Sequence, residues 1–195
     1  MPTLSQLKDR IFRNTGGMYT ETFHMTDLIN DALSMLVDGA KLKGIQTINV
    51  VGMTGEYALP ADFKSPSVLQ DQTDTNGSVA PYDLVNISEN KFGYAIADGN
   101  IVLKPVPTAA TTLTHYYYKY ATVLVNDTDV PEVDSAYHFL LSTYASAVIL
   151  LIPGLQNAPG LGDRFMNQWE EGKRSFFANM ARKNKTTRTR EKVVW

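Results

Sequence analysis

Apolar residues recur every three or four positions at both ends of this chain and every second position in its middle. Residues 4–13 place Leu4, Leu7, Ile11 and Phe12 on one helical face, and Gly16-Gly17 stops the element. A second helix starts after Thr22 or Thr26, either of which suits a cap. It carries Phe23, Leu28, Ile29, Ala32, Leu33, Leu36 and Val37 at helical spacing and ends near Gly39 or Gly44. From about Ile45 the period changes. "INVV" (48–51), "EYALP" (56–60) and "SVLQ" (67–70) are short, β-branched or alternating, and separated by Gly, Pro and Asp. "GYAIA" and "NIVLKP" flank Asp98-Gly99, a pair suited to a tight type I′ hairpin turn. "TLTHYYYKYATVL" (112–124) reads as a further strand.

Helical spacing returns in "DTDVPEVDSAYHFLLSTYASAVILLI". There Asp129 suits a cap, Pro131 a first turn, and Glu132 and Asp134 the positive end of the helix dipole. Tyr137, Leu140, Leu141, Tyr144, Val148 and Leu151 form the expected stripe, and Pro153 ends it. After a loop over 153–163, a last helix carries Phe165, Trp169, Phe176, Phe177 and Met180 on one side. Gly172 inside it costs about 1 kcal/mol relative to Ala, so packing must hold this helix.

The order predicts an α+β fold: a helical bundle of about four helices (1–44 and 125–181), an inserted, mainly antiparallel β region (45–124), and an extended basic C-terminal tail (182–195). No internal repeat is visible. A length of 195 residues with 44% hydrophobic and 19% charged content fits a globular chain. No run approaches the roughly 20 apolar residues that cross a bilayer, so no membrane partner is expected. The N-terminus has no basic region followed by an apolar core, and no secretory signal is expected. The chain has no cysteine, which removes disulfides, thiolate nucleophiles and zinc ribbons together.

Charge changes the picture more than composition does. From Arg182 to Trp195 there are six bases (Arg182, Lys183, Lys185, Arg188, Arg190 and Lys192) against Glu191, a net of +5. The whole chain carries −2, which leaves −7 on the remainder. The tail, not the body, is the part that seeks an acidic partner. It closes on Val193, Val194 and Trp195, too apolar for an idle solvated end.

Catalytic patterns are not evident. His24, His115 and His138 are isolated from one another in sequence, and no Gly-x-Ser-x-Gly elbow or Gly-x-x-x-x-Gly-Lys loop occurs. "QTDTNGSVAPYD" (72–83) places Asp74, Asn76, Gly77 and Asp83 at EF-hand positions, but Gln72 opens it and no Glu closes it. A polar connection between strands is the expectation, with no metal and no cofactor. "HYYYKY" (115–120) could stack nucleic-acid bases, yet in a strand Tyr116, Tyr118 and Tyr120 face one way and Tyr117 and Lys119 the other, as in a sheet packed on one side.

The ordered set of segments resembles the head–tail connector proteins of tailed phages, also called adaptor or head-completion proteins. Those segments are "LINDAL" (28–33) in the second helix, "GEYALPADF" (55–63), the hairpin "YAIADGNIVLKPVP" (94–107) and "LTHYYYKYATVL" (113–124). They continue with "VPEVDSAYHFLLSTYASAVIL" (130–150) and "RFMNQWEEGKRSFFANM" (164–180), and together span nearly the whole chain. The resemblance implies a non-enzymatic virion protein at the head–tail junction, assembled in the host cytoplasm. Copies would form a ring, usually of twelve, between a portal protein and a downstream adaptor, nozzle or tail protein, with DNA passing through without sequence-specific binding. It also implies that the C-terminal segment reaches along the portal. Arg182, Lys183, Lys185, Arg188, Arg190 and Lys192 would then pair with acidic grooves, and Val193, Val194 and Trp195 would bury at its surface. An acidic body suits a conduit, since each neutralised phosphate adds affinity and drag. The alternative is a nucleic-acid-binding protein that grips phosphate with the basic tail; a hydrolase or lyase has no sequence feature in its favour.

Overall fold

Thr3 opens the first helix: its hydroxyl accepts the Gln6 amide while the Gln6 side chain accepts the Thr3 amide, a reciprocal cap. The structure is a computed structural model that describes residues 1–71, 81–88, 91–153 and 160–191, with side chains as far as residue 183. Most of the calcium-loop-like stretch, residues 72–80, lies outside the described residues.

The chain divides into a helical unit, residues 1–40 and 121 onward, and a β unit, residues 41–120. In the helical unit α1 (Leu4–Asn14) buries Leu4, Leu7 and Ile11. Phe12 leaves that face, is 43% exposed and lies over Gly17. α2 (Thr22–Ala40) buries Met25, Leu28, Ile29, Ala32, Leu33, Leu36, Val37 and Ala40. Phe23, expected on this face, is 81% exposed: two residues before Met25 it falls on the opposite side of the helix.

α3 (His138–Leu150) packs against α1, α2 and the final helix. It is enclosed on nearly every side, with Ser142, Ala145, Ser146 and Ala147 buried alongside Leu140, Leu141, Ile149 and Leu150. The expected single stripe is therefore corrected: Tyr144 and Val148 are half-buried and Leu151 is exposed. A central helix is apolar all round and small residues let its neighbours approach. α3 also starts later than Asp129. That carboxylate instead accepts the Val125 and Asn126 amides in a turn of its own, at 2.8 Å each. Asp134 accepts the Ala136 amide and caps a short 3-10 turn, Ser135–Tyr137, which leads into α3.

α4 runs from Leu161 to Glu191. Its antiparallel contact with α3 gives Gly172 a packing role: a Cβ there would lie 2.2 Å from Leu140 Cδ2, so a larger residue would have to displace that buried leucine.

In the β unit, β1 (Lys43–Val50), β3 (Phe63–Asp71), β4 (Pro81–Tyr82) and β7 (Thr111–Lys119) form one sheet in the order β1-β7-β3-β4. β2 (Glu56–Ala58), β5 (Gly93–Ala97) and β6 (Asn100–Lys104) form a second in the order β2-β6-β5. These strands pair antiparallel, and an isolated parallel bridge joins Leu84 to Tyr94 of β5. Asp98 and Gly99 take left-handed φ of 49° and 75° in the β5–β6 turn, as their sequence predicts. The sheets share a core in which Ile48, Val50, Leu69 and Leu113 of one meet Tyr94, Ile101 and Leu103 of the other. Leu113, His115 and Tyr117 of β7 are buried and Tyr116 and Tyr118 half-buried, so the alternation anticipated for the tyrosine run holds there, but Thr114 on the opposite face is buried too.

β7 ends at Lys119, short of the expected 124. The Asn30 side chain donates to Leu124 O at 3.0 Å and accepts the Leu124 amide at 2.9 Å. That bidentate grip holds residues 121–125 to α2 in place of a strand partner.

Candidate docking surface

The candidate site sits at the end of α4, so its placement depends on how that helix is held. Trp169 is 1% exposed and packs on Tyr144, with ring centroids 5.1 Å apart. Lys173 Nζ lies over the indole and bonds Glu170 at 2.6 Å. One turn on, Phe176 is fully buried and meets Tyr137 edge-on at 5.0 Å. Phe177 closes on α2, where a Cβ at Gly39 would stand 2.2 Å from its ring. Asn179 donates to the Tyr137 hydroxyl at 3.3 Å. Of the five positions the periodicity selects, Trp169 and Phe176 are buried, while Phe165, Phe177 and Met180 are half-buried.

Beyond Met180 the side chains turn outward: Ala181, Arg182 and Lys183 are exposed. Lys183 Nζ donates to Asp134 Oδ2 at 2.8 Å, so one base assigned to the tail is engaged within its own bundle. That bond, followed by the Ala136 amide, holds the Asp134 carboxyl below the usual carboxylate range. The backbone expected to be extended from Arg182 is instead helical to Glu191, which places Lys185, Arg188 and Arg190 on helix. No Gly or Pro follows Gly172 to interrupt the turn, and bases near a helix C-terminus complement its dipole. A span of 31 residues makes α4 about 46 Å long. Lys192, Val193, Val194 and Trp195 lie outside the described residues.

A second feature of the helical unit was not anticipated. Between the start of α2, α1 and residues 123–125 there is a hollow of about 420 Å³ lined by Phe23, Thr26, Asp27, Asn30, Val123 and Val125. Val123 and Val125 are 65% and 71% exposed while Leu124 between them is 3% exposed. The alternation in "TVLV" (122–125) is the sequence signal for it, and it is equally the pattern of a strand. Lys8, at the floor of the hollow, is tied to Asp127 at 2.8 Å.

Chemistry is thin elsewhere. His138 Nε2 meets Val133 O at 2.8 Å, His24 Nδ1 meets the Tyr19 hydroxyl, and His115 is enclosed by β-unit aromatics. Among the described residues no group of three or more His, Asp or Glu side chains is placed to hold a metal ion. No helix among them is long and apolar enough to cross a membrane.

The model of the SU10 adaptor protein family matches residues 2–191, almost the entire chain. The chain belongs to the SU10 adaptor protein family. No individually curated protein matches it. As a member of this phage adaptor family the chain is a structural adaptor protein.

Proposed function

We propose that this adaptor forms a ring beneath the portal of its virion, that the end of α4 and the residues beyond it dock on the portal, and that DNA passes through the ring. The observation that carries the reading is the helix itself. α4 is anchored from Trp169 to Lys183 and then continues eight residues further to Glu191, in a stretch with three bases and one acid. A helix stabilised by its own bundle presents those bases with less ordering entropy to lose on binding than a free coil. The contacts assigned to portal binding are Arg182, Lys183, Lys185, Arg188, Arg190, Lys192, Val193, Val194 and Trp195. Lys183 would exchange or share its Asp134 partner.

Deleting residues 184–195 tests this, because it spares the Lys183–Asp134 pair and every described contact of α4 with α3. Circular dichroism should show a folded protein that has lost only the terminal helical turns. Co-sedimentation with the portal of the same virus should show binding lost. Unchanged co-sedimentation would overturn the docking assignment. Trp195→Ala should weaken docking more than any single Lys→Ala; equal effects would mean that charge alone carries the contact.

The nucleic-acid-binding alternative draws on the same bases. It predicts salt-sensitive DNA binding that disappears with residues 184–195 while portal binding survives. The apolar Val193-Val194-Trp195 end favours the protein partner.

A further inference from the structure

The hollow beside the start of α2 combines apolar side chains with one sign of charge. Phe23, Val123 and Val125, each more than 60% exposed, converge on it, more than isolated surface hydrophobics require. Its lining holds one base, Lys8, which Asp127 neutralises. Asp27 also lines it, and Asp31 follows four residues on, along the same face of α2. Both carboxylates are exposed, and no base among the described residues is bonded to either. The segments that supply most of the wall, residues 21–40 and 121–137, contain eight acids and no Lys or Arg. Arg10 and Arg13 of α1 are exposed but do not line the hollow.

One stretch of this chain has the complementary chemistry. Residues 182–195 carry six bases against one acid and close on Val193, Val194 and Trp195. Residues 161–181 are balanced, with three bases and three acids, so the end of α4 and not its packed length is drawn to carboxylates.

A chain cannot fill its own hollow with that end. Burial, and after it the charge of Asp31, raises the pKa of Tyr144, so Asp31 lies near that ring. Trp169 packs on the same ring. Eight residues further along each helix, Gly39 meets Phe177. α2 and α4 therefore run in the same direction, with Asp31 level with Trp169. The hollow lies by the first turns of α2, whereas Glu191 is 22 residues beyond Trp169, about 33 Å along the axis. The four residues after it span at most about 14 Å, too little to double back.

We infer that, until the portal is met, residues 192–195 of one copy lie in the hollow of a second copy, with Trp195 against Phe23, Val123 and Val125 and the preceding bases at Asp27 and Asp31. Each of the two apolar surfaces then covers the other. Trp supplies a large, rigid contact. The hollow, about 420 Å³, falls within the roughly 300–1,000 Å³ of pockets that bury such groups. The inference rests on the docking reading above for what ends the contact: the portal withdraws the same residues by binding them more tightly than the hollow does.

A photo-crosslinking amino acid tests it, placed at position 195 of the full chain in one preparation and at position 23 in another. Each is mixed with isotopically heavy unmodified chain, so that mass spectrometry separates links within a copy from links between copies. Without the portal, position 195 of one copy should link to residues 23–27 or 123–125 of another, and position 23 to residues 192–195. Adding the portal should remove both. Asp27→Lys/Asp31→Lys and Phe23→Ser alter exposed positions and should keep the circular dichroism of the unmodified protein. Each should raise the dissociation constant between copies, read by sedimentation, about tenfold. Absent links, links confined to one copy or to another surface, links that persist on the portal, or unchanged association of both variants would overturn the inference and leave portal docking standing. Position 195 linked to the hollow in the free protein but never to the portal would instead overturn docking and leave the contact between copies in place.

Discussion

His115 is the residue whose environment departs furthest from what its sequence neighbours suggest. It is fully buried between the two sheets, with rings of Phe63, Tyr94 and Tyr117 around it. Its Nδ1 meets Gln46 Oε1 at 3.4 Å and its Nε2 has no partner. Burial lowers its pKa from 6.5 to about 4, because the charged ring would lose its hydration. The folded state therefore requires the neutral form, whereas the unfolded chain protonates near pH 6.5. Stability from this site is complete above about pH 6.5 and is lost as the pH falls towards 4, by about 3 kcal/mol. Urea unfolding of the β unit between pH 7 and 4 should show that slope, and His115→Phe should flatten it. An identical slope in the variant would assign the acid sensitivity to carboxylates instead. In the sequence this histidine was one of a Tyr-rich run. Its inward direction followed from alternation, but its missing partner depends on what the second sheet brings opposite it, which no local pattern encodes.

At the scale of elements the final helix and its partner carry the clearest test. Gly172 is a poor helix former placed where α3 and α4 come together, and replacement by Ala pits a local gain of about 1 kcal/mol against insertion of a methyl into Leu140. Overpacking of this kind costs about 1–3 kcal/mol. Gly172→Ala should lower the thermal midpoint, and adding Leu140→Val should recover part of the loss. A variant more stable than the parent would show that the two helices are not held at this spacing. The same region separates legible from hidden structure. Trp169, Phe176 and Phe177 announced their face by spacing. α3 did not, since its enclosure by three neighbours erased the stripe that Tyr144 and Val148 suggested. The helical course beyond Arg182 was hidden by composition: Thr and Asn lowered the expected propensity, while freedom from Gly and Pro and the bases at the C-terminal end favoured continuation.

For the whole molecule, the division of charge ties fold to function. The acids gather on α2 and on residues 127–134, the bases on α4 and the residues after it, and the β unit is nearly neutral, with seven acids against six bases over residues 41–120. In the proposed reading, the basic end of the longest helix is the surface that fastens to the portal. Contacts made mainly of exposed charges should weaken with salt. Raising the ionic strength from about 0.1 M to 1 M, where the screening length falls from about 10 Å to about 3 Å, should release the protein from the portal before it unfolds it. Docking insensitive to salt would place the contact on apolar surface alone. The central claim, that the C-terminal end of α4 fastens on the portal, is tested most directly by a photo-crosslinking amino acid in place of Trp195 in assembled particles. Crosslinks to the portal are the predicted result; crosslinks confined to a downstream tail protein, or to none, would contradict it.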